Sequence, residues 1–279
     1  MTVGILNVHK PVGWTSHDVV ARVRRLAAER RVGHAGTLDP LAEGVLPVLL
    51  GRATRLADFI QAGRKTYRAS IALGAATSTD DAEGEIVKRA PIPALLELER
   101  ALAKFRGPLL QTPPAYSAIR VAGQRAYALA RAGGAVALAP RPVIVDDIRV
   151  LSSEPLVVEV TCSKGTYIRS LARDLARELG TVGHLAGLVR TRVGPFTLED
   201  AVSLDGLDVC ESLLPPDRAL PDAPIFRLPA EDTARLLRGQ PVEVAGALHV
   251  DPARVYDPEG RMVCVGYAHQ GRLYPRILL

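Results

Sequence analysis

The chain has 279 residues, 48% of them hydrophobic and 23% charged, and no apolar run reaches the length of a membrane span. Its three cysteines, Cys162, Cys210 and Cys264, are too scattered for a disulfide framework or a CxxC site, and the N-terminus MTVGILNVHKPVGW lacks the order of a signal peptide, so a cytoplasmic protein is expected. The net charge of +5 leans towards a polyanionic partner, and the excess lies in the first 221 residues, since seven arginines balance the seven acidic residues from Asp222 onwards.

In chain order, TSHDVVARVRRLAAERR opens a helix, with Ser16 as cap, Asp18 in the first turn and Val19, Val20, Val23, Leu26 and Ala27 on one stripe. YRASIALGA alternates Tyr67, Ala69, Ile71 and Leu73 against Arg68, Ser70 and Ala72, a strand pattern, and a polar loop and a short strand near Ile86 follow. Residues 94–105 read as a helix after Pro93, stopped by Gly107 and Pro108. Residues about 112–142 are rich in Pro, Gly and Ala and carry Arg120, Arg125, Arg131 and Arg141. They read as an excursion from the core, with a tight turn at Gly123 and a short helix ending at Gly133. EPLVVEVTCSKGTYIRSLARDLARELG is strand, turn, helix. Leu156, Val158, Val160 and Cys162 share a strand face, and Ile168, Leu171, Leu175 and Leu179 a helix stripe closed by Gly180. After the proline-rich LLPPDRALPDAP, residues 222–279 read as a small separate β domain with turns at Pro258–Gly260 and Gln270–Gly271.

The stretch GHAGTLDPLAEGVLPVLLG carries the chemistry. Asp39 has no second carboxylate fixed beside it as a glycosidase requires, only His34 nearby where a metal site needs a cluster, and no GxxxxGK[ST]. Locally, Asp39 reads either as a turn cap before Pro40 or as a carboxylate that acts alone, held by groups from elsewhere in the chain.

Five stretches in order decide between these: HKPVGWTSHDVV, GHAGTLDPLAEGVLPVLLG, KTYRASIALGAATSTDDAEG, CSKGTYIRSLARDLA and LAGLVRTRVGPF. From about Asn7 to Phe196 the chain resembles the TruB family of tRNA pseudouridine synthases, in the stand-alone bacterial form, which modifies uridine 55 of the T-loop. The resemblance implies an α+β fold: a mixed, largely antiparallel sheet with flanking helices and a central cleft over 1–221, and a PUA-like RNA-binding β domain over 222–279. Asp39 matches the catalytic aspartate. Tyr67 matches a tyrosine that stacks on the target base and is placed to remove its C5 proton. Tyr167 and Arg169 match a tyrosine near the base and an arginine that pairs with the aspartate. Leu188 matches an apolar residue packed on the target, His34 a histidine against flipped-out nucleotides, and Lys10 and Pro11 a pair that supports the site. Asp81 falls in a loop that touches the site. The excursion matches an RNA-gripping insertion, which makes Arg120, Arg125 and Arg131 candidate phosphate contacts.

The chemistry implied breaks the N1–C1′ bond of uridine, turns the base and joins C5 to C1′. Nothing is oxidised or transferred from outside, so neither cofactor nor metal is expected. Asp39 can attack C1′, attack the base or remove the C2′ proton; the sequence leaves all three open. A buried, ionised Asp39 needs a cation, which Arg169 supplies. The target base must leave its stack at a cost of a few kcal/mol, and stacking on Tyr67 returns roughly 1–3 kcal/mol. The expected partner is the T-arm of tRNA, met by a monomer with no membrane. Two alternatives stand beside this: an RNA-binding or tRNA-folding protein on the same scaffold, and a guide-RNA-dependent synthase. The intact Asp39–Tyr67–Arg169 set argues against the first, and the insertion and short N-terminus against the second.

Overall fold

The computed structural model describes residues 2–94, 97–117, 120–121, 124–125, 138–246 and 249–279. Strands β1 (Gly4–Lys10), β2 (Val32–His34), β3 (Ala42–Leu50), β4 (Lys65–Leu73), β7 (Gly107–Gln111), β10 (Arg141–Ser153), β11 (Leu156–Cys162), β12 (Gly183–Val193) and β13 (Phe196–Thr197) form one large sheet among the described residues. Its order is β1-β3-β12-β4-β11-β10-β7, with β2 beside β3 and β13 beside β12. Every pairing is antiparallel except the β3–β12 seam, where Leu188, Val189 and Arg190 run parallel to Ala42, Glu43 and Gly44. The loops that meet at this central seam form the site.

Alternation explains β4 and β11. Ala69 and Ile71 are buried while Arg68 is exposed, and Leu156, Val158, Val160 and Cys162 all face the core. That face is covered by α3 (Leu98–Ala103) and α4 (Ile168–Glu178), whose Leu102, Ile168, Leu171, Ala172 and Leu175 pack against it. The helix expected over 94–105 is confined to α3 among the described residues, and Gly107 follows at φ +90°. Burying each such leucine or valine contributes roughly 1.5–3 kcal/mol before ordering costs.

Helix α1 (Ser16–Leu26) covers the other side of the seam through Val19, Val20 and Val23; Leu26, expected on that stripe, is 38% exposed. Its cap is Thr15 rather than Ser16. The Asp18 N–H donates to the Thr15 hydroxyl at 3.1 Å and the Thr15 N–H to the Asp18 carboxylate at 2.9 Å, a complete capping box. Ser16 is thereby free to turn inward, towards the site.

The polar loop after β4 carries the two-stranded pair β5 (Ala75–Thr77) and β6 (Ile86–Arg89). In the excursion, β8 (Arg120–Val121) and β9 (Gln124–Arg125) pair with Arg120 opposite Arg125. Arg131, the turn at Gly123 and the helix ending at Gly133 lie outside the described residues.

The tail has its own sheet, ordered β14 (Ile225–Arg227), β16 (His249–Tyr256), β17 (Met262–His269), β18 (Arg272–Leu278), β15 (Val242–Glu243). One face packs on the helix Ala230–Leu237 through Val255, Cys264, Ala268 and Leu273. Val265, Met262, Ile277 and Leu279 instead join a cluster with Ile5, Leu49, Leu56, Ile60 and Phe196 of the large sheet and its cover.

Candidate active site

Asp39 lies in the loop between β2 and β3, at the mouth of a cleft of about 580 Å³. Three elements hold this loop through its backbone, and a fourth holds the Asp39 carboxylate. Leu38 donates its N–H to Ser16 Oγ at 2.9 Å, and the same hydroxyl donates to the Leu38 carbonyl at 3.1 Å. Lys10, wholly buried at the end of β1, gives its ammonium to the carbonyls of Pro11 (2.9 Å), Trp14 (2.5 Å) and Pro40 (3.4 Å). Arg190, on β12 and 1% exposed, donates from Nε to the Val45 carbonyl at 2.8 Å and from its two Nη atoms to those of Thr37 (3.2 Å) and Gly36 (2.9 Å). Arg169, from the first turn of α4, reaches Asp39 Oδ2 at 3.0 Å.

This last contact is the centre of the site. Arg169 is only 9% exposed in its side chain, whereas that of Asp39 is 43% exposed. The arginine is fixed on every side. Asp81, 3% exposed, meets its other Nη at 3.2 Å, and the carbonyls of Thr79 (3.3 Å) and Tyr116 (2.9 Å) each accept a further hydrogen from the two Nη atoms. Asp81 is itself held, by the Thr79 hydroxyl and by the Glu83 N–H at 3.1 Å. A guanidinium clamped between two carboxylates cannot swing, so it presents Asp39 to the cleft in one orientation. Helix α4 is placed as firmly, because the Gln111 amide both donates to the Tyr167 carbonyl (3.0 Å) and accepts the Tyr167 N–H (2.8 Å).

Tyr67, Tyr116, Tyr167, Leu188, Lys65 and Arg190 also line the cleft. Burial pushes the Tyr67 hydroxyl above its usual pKa, and the neighbouring Arg190 charge opposes this. Burial likewise raises Tyr167. It lowers Lys10 and Lys65, each to about 8. Asp39, Tyr67, Tyr167, Arg169 and Leu188 thus converge on one cavity. Pro11 and Lys10 stand behind its loop. Asp81 sits beneath Arg169, not in the lining. His34 lies on β2, half-buried, outside the lining, and burial holds its imidazole below its ordinary pKa. Among the described residues, no cluster of three or more His, Cys, Asp or Glu could hold a metal ion.

The sequence reading passes over Arg190, Lys65 and Gln111 and reads Ser16 only as a helix cap. The first two had a signal: Lys65 stands two residues before Tyr67, and Arg190 two after Leu188, so strand alternation puts each on the face of a residue already singled out.

Comparison with known proteins decides the family. The N-terminal domain of the TruB family pseudouridylate synthases matches residues 24–168, the tRNA pseudouridylate synthase B C-terminal domain matches 169–215, and the C-terminal domain of pseudouridine synthase II TruB matches 224–279. The chain belongs to the TruB family. Similar relatives include a tRNA pseudouridine synthase B of Thermobifida fusca, 46% identical over 100% of this chain and 99% of that one. Another, from Gloeobacter violaceus, is 45% identical over 99% and 98%. Among solved structures, a chain of a Cbf5–Nop10–Gar1 complex is 28% identical, covers 95% of this chain and 78% of that one, and superposes with a TM-score of 0.72. A chain of an H/ACA RNP bound to a substrate RNA has the same fold, with a TM-score of 0.74 at 24% identity, covering 99% and 84%. The mixed, mainly antiparallel sheet with a C-terminal β domain is therefore the TruB-type pseudouridine synthase fold.

Proposed function

We infer that the protein is a tRNA pseudouridine synthase, and that its target is uridine 55 in the T-loop. The observation that carries the reading is Asp39: an accessible carboxylate at the mouth of an aromatic cleft, oriented by a buried arginine that is itself neutralised from behind. Such a carboxylate is suited to act on the sugar or base of one nucleotide. A cleft of about 580 Å³ takes a single flipped base, with Tyr67 for stacking and Leu188 and Tyr167 as walls. Asp39 starts the cleavage of N1–C1′, and Tyr67 receives the C5 proton after the base has turned. His34 fills space left by displaced nucleotides, and Arg120, Arg125 and Arg131 meet phosphates of the T-arm. We assign Asp81 to the orientation of Arg169 rather than to substrate contact. The enzyme acts as a monomer on tRNA in the cytoplasm.

The sequence identity of about 45% to relatives named tRNA pseudouridine synthase B, against 28% to the chain solved in a complex with Nop10 and Gar1, supports a synthase that acts alone over the guide-dependent form. The test is unmodified tRNA carrying C5-tritiated uridine. Release of one equivalent of tritium, mapped to position 55, is expected. No release from any position, or release from another arm alone, defeats the assignment.

A further inference from the structure

Arg190 is a buried cation without an anion. Among the described residues no carboxylate lies within salt-bridge distance of it, and its side chain donates to three backbone carbonyls. A desolvated guanidinium is costly, and carbonyl oxygens compensate it less than a carboxylate does. Three bonds to the Asp39 loop and its following strand occupy three of its five N–H donors and leave its charge without a counter-charge. A neutral amide would brace carbonyls at lower cost.

The register shows where the charge is aimed. Arg190 stands directly opposite Tyr67 in the β12–β4 ladder. Both side chains line the cleft, and the guanidinium charge acts on the Tyr67 hydroxyl, opposing the rise that burial causes in its pKa. On its other side Arg190 faces Gly44, whose φ of +106° and lack of a side chain let the β3 backbone come close; a Cβ there would lie 2.3 Å from the Arg190 carbonyl. The arginine is thus wedged in place, with Tyr67 opposite it in the ladder and in the same cleft.

We propose that Arg190 is a positioning residue for Tyr67, holding its oxygen at the cleft floor and stabilising its phenolate so that it can take the C5 proton. The proposal rests on the reading of Tyr67 as the base. In the step, C5 is already bonded to C1′. The C5–H bond breaks and its electron pair forms the C5=C6 double bond. The N1=C6 pair moves onto N1, which takes a proton from water, while the C5 proton goes to the Tyr67 phenolate. That phenolate forms beforehand, and re-forms afterwards, by loss of the phenol proton to solvent. The charged or titratable groups facing Tyr67 are Arg190 from β12, Cys162 from β11 and Asp39 from the loop. Burial, Cys162 and Asp39 oppose the phenolate, and Arg190 favours it. Lys10, His34 and Lys65 also feel the Arg190 charge, each being driven towards its neutral form.

The test is single-turnover tritium release from C5-labelled tRNA as a function of pH, for the unaltered enzyme, Arg190→Lys, Arg190→Met and Tyr67→Phe, with tRNA affinity measured for each. In the unaltered enzyme the rate should climb with pH as Tyr67 ionises. Arg190→Met should move that climb up by about one pH unit or more, a tenfold loss of phenolate at neutral pH. Arg190→Lys should recover most of the profile. A profile of unchanged shape in Arg190→Met, merely scaled down, would overturn the proposal and leave Arg190 as a brace for the loop. Near-normal release by Tyr67→Phe would instead remove Tyr67 as the base, whatever Arg190 does. If Arg190→Met fails to fold, 3-fluorotyrosine at position 67, a more acidic phenol, provides the second measurement. The climb should move to lower pH together with the titration of its fluorine resonance, and a rate profile that ignores this titration refutes the proposal.

Discussion

Asp39 and Tyr67 stand in the same cleft but should fail differently when altered. Asparagine is nearly isosteric with aspartate and neutral, so Asp39→Asn keeps a hydrogen bond to Arg169 and loses the nucleophile or base. We expect it to fold, to bind tRNA within a few-fold of the parent, since RNA affinity comes mainly from backbone and shape, and to form no pseudouridine. Tyr67→Phe keeps the ring and removes the oxygen. It should bind tRNA and detach the base, yet release tritium very slowly. Parallel measurement of affinity and single-turnover release separates the two, and near-normal release by Asp39→Asn would dismiss the proposed mechanism. Lys65 makes a third residue-level case. Burial lowers it from 10.5 to about 8, so between those values the unfolded chain binds a proton that the folded chain does not. Stability from this group therefore rises with pH across that window. Lys65→Met should flatten the pH dependence of the unfolding free energy there by up to about 1.4 kcal/mol per pH unit. Denaturant titrations at pH 8, 9 and 10 would show it, and identical slopes would mean that Lys65 stays protonated in the fold.

At the scale of elements the site depends on the parallel β3–β12 seam in an otherwise antiparallel sheet. Gly44→Ala should cost about 3 kcal/mol or more, because it combines a strained φ with a collision against backbone that cannot swing away. A drop in the urea midpoint with an unchanged slope would show this; an unaltered midpoint would mean that the seam can open. Strand and helix identities were legible here, because β4, β11 and α4 are amphipathic in their own periods. The capping box was within reach too, as T-x-x-D, but Ser16 was taken for the cap. The order of strands was not legible, since a period of two says which face a residue takes and nothing about which strand lies beside it. Alternation with Leu188 marks the face of Arg190 but not its partners, since the carbonyls of Gly36, Thr37 and Val45 are groups that any residue type supplies. The Asp39–Arg169 pair joins two complementary letters in quoted motifs, and it was anticipated from the resemblance.

For the whole molecule, the tail is tied to the large sheet by more than its linker. Its sheet uses both faces, one on its own helix and the other, through Met262, Val265, Ile277 and Leu279, on Ile5, Leu49, Leu56, Ile60 and Phe196. Arg52 and Arg55 add hydrogen bonds to the carbonyls of Leu279 (3.0 Å) and Leu278 (3.2 Å). Deleting residues 222–279 would leave that half of the cluster facing water. At roughly 1.5–3 kcal/mol for each large apolar side chain exposed, the loss is comparable with the entire stability of an ordinary domain. The full chain should therefore unfold in one transition that melts the tail and the catalytic sheet together, and the truncated chain should be insoluble or lack a cooperative transition. Differential scanning calorimetry of the full chain and expression of residues 1–221 provide the check. A soluble truncated chain that melts near the parent temperature would show that the shared cluster contributes little, and only then would deletion be a clean way to measure what the tail adds to tRNA binding.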